Sequence, residues 1–171
     1  MALEIKDKNN CRWDFVTLGE ILLRFDPGER RIHNARRFTV WGGGAEFNVA
    51  ANLSGVFGQR TSIVTALHDN ALGRLAEDFA RSSGVGTDNI AWRNDARNGI
   101  YFIERGFGLR APQSAFDREN TAVSRLDAGS IDLDEIFADG VRWFHTGGVF
   151  TGLSDTTPNA AIEGMRAAKE T

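Results

Sequence analysis

The run Trp41-Gly42-Gly43-Gly44-Ala45-Glu46-Phe47-Asn48 sets a glycine-rich turn against the start of a helical pattern. Glycines remove β-carbons from a turn, so backbone N–H groups can approach a small polar ligand closely. Unpaired donors and the positive end of a helix dipole favour anionic or electron-rich ligands at such a point. Phe47, Ala50, Ala51 and Leu53 share one face of the helix, and Asn48 stands at its start, where an amide side chain can also serve as a cap. A tight strand-to-helix turn accounts for the same residues, so the run alone leaves a binding role and a structural role both open. It is not a P-loop, because no Gly-Lys-Ser/Thr follows. Nor is it a dinucleotide fingerprint, since Phe47 stands where the third glycine of G-x-G-x-x-G belongs, which argues against an oxidoreductase domain.

Other reactive residue types are sparse. His145, before Thr146-Gly147-Gly148, reads as a hydrogen-bonded structural residue at a strand end. No second His or Cys stands at metal-ligand spacing, so no protein-held metal site is expected. Cys11 is the single cysteine and has no catalytic partner nearby; it cannot form an internal disulfide, which fits a reducing, cytoplasmic setting. With 20 basic and 23 acidic residues, the formal charge of −3 argues against a nucleic-acid binder. The cluster Arg30, Arg31, Arg36 and Arg37 reads as a solvated face. Met1–Lys8 lacks the apolar core of a signal peptide, and no apolar run approaches a membrane span. No nucleic-acid or membrane partner is expected.

Residues 1–12 read as a polar, mobile leader, and 13–171 as one domain. Phe15–Phe25 is an apolar run suited to a buried strand and stopped by Asp26-Pro27-Gly28. Arg37–Trp41 reads as a short strand entering the glycine turn. Thr61–Leu67 is apolar on both faces, as a central parallel strand must be. Asn70 caps a helix whose Leu72, Leu75, Ala76 and Phe79 follow helical spacing until Gly84. Between Ile90 and Thr121 the pattern becomes alternating, with a turn at Gly106-Phe107-Gly108, so an antiparallel excursion is expected. A short helix at Asp132–Phe137 and a strand at Val141–His145 follow. Thr157 and Pro158 then read as N-cap and N1 of a helix carrying Ala161, Ile162 and Met165 inward. Alternating strands and helices predict an α/β fold with a parallel sheet covered on both faces.

Gly43-Gly44-Ala45-Glu46-Phe47-Asn48-Val49-Ala50 matches Gly-Gly-x-x-x-Asn-x-Ala, and the chain resembles the ribokinase (PfkB) family of sugar kinases in that signature. Leu18–Leu23, Gly58, Asp69-Asn70-Ala71-Leu72-Gly73 and Phe116–Ala122 keep the order of the family, the last being similar to the 2-keto-3-deoxygluconate kinase branch. The resemblance implies a ribokinase-like three-layer α/β/α fold with a small β-sheet lid, its segments near 30–41 and 90–121. It implies ATP-dependent phosphorylation of a sugar or keto-deoxy sugar acid, with ATP and magnesium as cofactors of the complete protein. It further implies that Gly43, Gly44 and Asn48 contact sugar hydroxyls, that Tyr101 is a lid aromatic reaching the sugar, and that Arg118 meets the substrate carboxylate. Arg24 stands where many sugar kinases carry an acidic residue, which favours an acid over a neutral polyol. The family's second signature, Asp-x-x-Gly-Ala-Gly-Asp, holds the base and the phosphate-binding turn, and nothing in residues 1–171 substitutes for it. The chain is therefore expected to be a truncated N-terminal half without catalytic residues and inactive alone. The alternative is a non-catalytic module that binds sugar or forms a homodimer through its lid.

Overall fold

The computed structural model of the chain describes residues 5–171. Strands β1 (Phe15–Leu18), β4 (Thr61–His68), β5 (Val85–Gly86), β6 (Ile90–Arg93) and β9 (Phe144–Thr146) form a parallel sheet. β4 lies at its centre, pairing with β1 on one side and with β5 and then β6 on the other; β1 pairs in turn with β9. The strict period of two along β4 builds both cores. Val64 and Ala66 face Phe137, Phe150, Ala160 and Ala161, the layer of α3 (Leu133–Ala138), α4 (Gly148–Thr151) and α5 (Thr157–Glu170), together with Leu126 just after a short turn at Val123–Arg125. Ile63 and Leu67 face Phe47, Ala50, Ala76 and Ala80, the layer of α1 (Ala45–Gly55) and α2 (Ala71–Ser82). Asn70 caps α2 through Oδ1, which accepts from the N–H groups of Leu72 and Gly73. These three layers are the α/β/α arrangement that the alternating pattern predicts.

A second sheet stands outside the first, in the order β3 (Thr39–Gly43), β2 (Leu22–Asp26), β7 (Ile100–Glu104), β8 (Gln113–Asp117). The small lid sheet is thus present, but its membership differs from expectation. The run Phe15–Phe25 is two strands in different sheets, broken at Gly19-Glu20-Ile21. A β-carbon on Gly19 would overlap the Glu46 side chain, so the chain leaves the main sheet where only a glycine fits. Apolar periodicity runs through this break because Ile21 and Leu23 are buried beyond it. Ile90–Arg93, at the start of the expected excursion, pairs instead with β4.

Two local expectations are also corrected. The cap of α5 is Thr156, and Thr157 is its buried first residue. Ala160, Ala161 and Gly164 face inward, whereas Ile162 and Met165 are exposed. Gly164 lies against the Phe144 ring, so small residues set a close helix–strand approach that hydrophobicity alone does not signal. Of the expected mobile leader, residues 1–4 lie outside the described residues, and 6–12 are docked on the body. Arg60 donates to the carbonyls of Lys8 and Cys11 at 2.8 and 2.7 Å, Arg142 donates to that of Lys6 at 3.0 Å, and Cys11 is buried.

Candidate functional site

Four connections join the two sheets: Gly19–Ile21 between β1 and β2, Gly44 between β3 and α1, the segment 94–99 between β6 and β7, and the segment after β8. They meet at the C-terminal end of β1, the end of a parallel strand at which open α/β sheets bind ligands. Gly44 holds φ +136°, a region that strongly favours glycine, and a β-carbon there would overlap the Glu20 carbonyl oxygen. Gly43 ends β3 in the lid sheet, where a β-carbon would stand 3.1 Å from the Tyr101 hydroxyl. Glycine is therefore sterically required at Gly44, and Gly43 leaves only a tight fit beside Tyr101. Gly44, not Asn48, caps α1, and no side chain caps it. That corrects the cap reading of Asn48, whose side chain is left exposed in the first turns of the helix. The earliest N–H groups of α1 have no intrahelical acceptor, as at any helix start.

The lid contributes a row of side chains in register. Trp41 on β3 pairs with Arg24 on β2, Arg24 with Tyr101 on β7, and Tyr101 with Phe116 on β8. Directly paired residues project from the same face of a sheet. Tyr101 and Phe116 stack with ring centroids 5.4 Å apart, and Trp41 and Phe116 remain exposed. Phe25, Phe38 and Phe102 cluster together elsewhere in the lid, with Phe25 and Phe102 at 5.1 Å.

Arg118 follows β8 and is 22% exposed; its guanidinium lies 2.7 Å from Glu20 Oε2 and 5.8 Å from the Phe116 ring. Glu20 and Glu46 are both buried, and the Oε1 of each has no partner. The Glu46 carboxylate accepts from the Glu20 backbone N–H at 3.4 Å. Burial pushes the Glu20 carboxyl up to about 7, against the pull of Arg118 and with the repulsion of Glu46. Arg97 and Asp117 form a further ion pair between the third and fourth connections.

The structure thus brings Gly43, Gly44 and Tyr101 together and sets Arg118 on the same cluster through Glu20. Asn48 lies on the helix that begins at this turn. Glu20 and Glu46 escape sequence reasoning as site residues; the one available signal was a charged residue interrupting the apolar run at Gly19-Glu20. His145 stacks on Phe15 at 5.5 Å, so an aromatic contact replaces the expected hydrogen bond as the described interaction of its ring. Among the described residues no group of three or more His, Cys, Asp or Glu is placed to hold a metal ion. No helix among them is long and apolar enough to cross a membrane.

Residues 14–170 match the model of the pfkB family of carbohydrate kinases. The chain is 34% identical to a 2-dehydro-3-deoxygalactonokinase of Haloferax volcanii over 160 residues, 92% of this chain and 48% of that protein. It is 28% identical to a 2-dehydro-3-deoxygluconokinase of Thermoproteus tenax over 168 residues, 96% of this chain and 50% of the relative. The crystal structure of a 2-dehydro-3-deoxygluconokinase from Thermotoga maritima superposes with a TM-score of 0.86 at 39% identity, over 91% of this chain and 47% of that one. The chain spans about half the length of the relatives it matches.

Proposed function

The chain belongs to the pfkB family of carbohydrate kinases, and we propose that it forms the sugar-binding and lid part of an ATP-dependent kinase for a 2-keto-3-deoxy sugar acid. The observation that carries the substrate class is Arg118, whose guanidinium pairs with buried Glu20 next to the glycine turn, the Glu20 carbonyl abutting Gly44. A planar guanidinium holds a carboxylate by two parallel hydrogen bonds, which an uncharged sugar cannot exploit. Gly43 and Gly44 give backbone access to sugar hydroxyls, Asn48 supplies an amide that both donates and accepts, and Tyr101, beside Gly43, supplies a hydroxyl. The relatives named for 2-dehydro-3-deoxygalactonate and 2-dehydro-3-deoxygluconate kinases support the same class.

Phosphoryl transfer requires a positioned acceptor, a base beside it and donors around the transferred phosphate. Residues 1–171 supply the first requirement. They contain no Asp-x-x-Gly-Ala-Gly-Asp run, so neither the base nor a cradle for the ATP phosphates is assigned within them. ATP with magnesium would supply the phosphoryl group, and the role of this chain is to bind, orient and shield the acceptor.

In the full-length protein, Arg118→Ala is expected to weaken binding of 2-keto-3-deoxygluconate by about tenfold to a hundredfold, leaving ATP binding unchanged, from the loss of a charge-assisted hydrogen-bonded pair. Arg118→Lys recovers part of the loss, because an ammonium cannot reproduce the fork. Equal KM values for the acid in wild type and both variants would refute the assignment. Exposed Trp41 and Phe116 on the lid support a homodimer formed through that sheet. Light scattering checks this pairing, which Trp41→Ser is expected to weaken.

A further inference from the structure

Glu20 sits where all four connections between body and lid converge. Its carbonyl oxygen abuts Gly44, its Oε1 would lie 2.7 Å from a β-carbon on Gly99, and its Oε2 meets Arg118 at 2.7 Å. Oε1 has no hydrogen-bond partner, and the side chain is 2% exposed. The charged groups facing this carboxylate are Arg118, from the segment after β8, and Glu46, from α1; Gly44 and Gly99 bring no side chain. With both carboxylates ionised, the cluster of Glu20, Glu46 and Arg118 carries a net negative charge. A ligand carboxylate arriving at Arg118 therefore meets a cation that is already neutralised.

We propose that Glu20 is the proton-linked counter-charge of Arg118: a carboxylate ligand displaces it from the guanidinium, and Glu20 then takes up one proton from solvent. The proposal rests on the reading of Arg118 as the anchor of a sugar acid. Its physical basis is that a buried carboxylate deprived of its cation does not stay ionised near neutral pH, least of all beside a second buried carboxylate. Charge is conserved through the exchange, because one carboxylate replaces another on the guanidinium and the displaced one is neutralised by the proton. Burial already pushes the Glu20 carboxyl up to about 7 with Arg118 in contact, and Arg118 is the group that holds it down. Removing that contact moves the carboxyl further upward. The ligand carboxylate is ionised throughout this range, so it is not the group that gains the proton.

The test is titration calorimetry of the full-length protein with 2-keto-3-deoxygluconate at pH 8, in two buffers of different ionisation enthalpy. Uptake of about half to one proton per bound ligand is expected, with affinity falling up to about tenfold per pH unit above pH 8. Glu20→Gln, a neutral isostere of the protonated side chain, is expected to bind the acid with no proton uptake and with pH-independent affinity. Binding by wild type without proton uptake overturns the proposal, as does uptake that persists in Glu20→Gln. If Glu20→Gln does not fold, the wild-type measurement alone decides by the same criterion. Arg118→Ala separates the two claims. If it binds the acid as tightly as wild type, the anchor reading fails and the proposal falls with it; if it loses the acid while wild type shows no uptake, only the proposal falls.

Discussion

Gly44 concentrates two constraints in one residue, a φ of +136° and a direct approach to the Glu20 carbonyl. Gly44→Ala is expected to cost stability by about 1–3 kcal/mol from the backbone alone, and more from the overlap. Urea denaturation of the full-length protein measures it, and a change below about 0.5 kcal/mol would show that the turn relaxes freely. Glu20 sets a second expectation at this scale. Its carboxyl is raised by burial from 4.5 to about 7, so the unfolded chain releases that proton at lower pH than the folded chain does. The associated stability is complete below pH 4.5 and is lost as pH rises through 7. Glu20→Gln is therefore expected to flatten the stability profile between pH 5 and pH 8, about where this group titrates. An unchanged slope in thermal melts across that interval would contradict it. The structure sets Tyr101 beside Gly43 and Arg118 on Glu20, and the glycine turn was legible in the sequence because its residue type and order carry its geometry. Glu20 and Glu46 were not, since nothing in periodicity distinguishes a buried carboxylate from one on a solvated turn.

Among the elements, β1 is tied to its surroundings by Asp14, just before it. This buried carboxylate receives Arg60 Nε at 3.0 Å and Nη2 at 2.9 Å, with Lys8 and Arg142 each at 3.4 Å. The Arg60 hydrogen bonds hold it far below the usual carboxylate range. A depressed folded value means stability that is present above the unfolded value and lost as pH falls below it. Asp14→Asn is expected to destabilise the protein by about 1–3 kcal/mol at pH 7, with the difference from wild type shrinking towards pH 3 and below. Equal stability of the two proteins at pH 7 would show that the network is solvent-screened. The same network docks residues 6–12, whose polar composition alone suggested freedom. Arg60 and Arg142, dozens of positions away, supply the donors, and such long-range partners are invisible to a local reading. The break between β1 and β2 was hidden for a related reason. It depends on how closely Gly19 approaches Glu46, which belongs to a different element. In α5, the small residues at 160, 161 and 164 outrank larger neighbours because the helix packs tightly on Phe144.

For the whole molecule, the layered α/β architecture follows from patterning that any buried parallel sheet must show, and so it was legible early. The way the sheet ends was not. β9 pairs with β1 on one side only, leaving the hydrogen-bonding groups of its other side unpaired within the described residues. Trp143, adjacent to β9 in the chain, is exposed, as are Val149 of α4 and Ile162 and Met165 of α5. An open parallel edge flanked by apolar side chains is a surface that pairs with further chain or with another molecule. A polypeptide comprising residues 1–171 alone is therefore expected to self-associate, and light scattering across a concentration series measures it. The same polypeptide is expected to show no kinase activity above background. General-base catalysis contributes roughly 10²–10⁴-fold, electrostatic stabilisation of the transferred phosphate adds further rate, and under the proposed function neither is assigned to residues 1–171. Sugar-acid binding should survive in part, because the glycine turn, Tyr101 and Arg118 all lie within these residues. The measurement is ATP-dependent phosphorylation of 2-keto-3-deoxygluconate by protein whose mass confirms an end at Thr171. Turnover at rates typical of sugar kinases would mean that a base and a phosphate site exist inside the α/β body described here, and that the division of labour between acceptor binding and phosphoryl transfer is wrong.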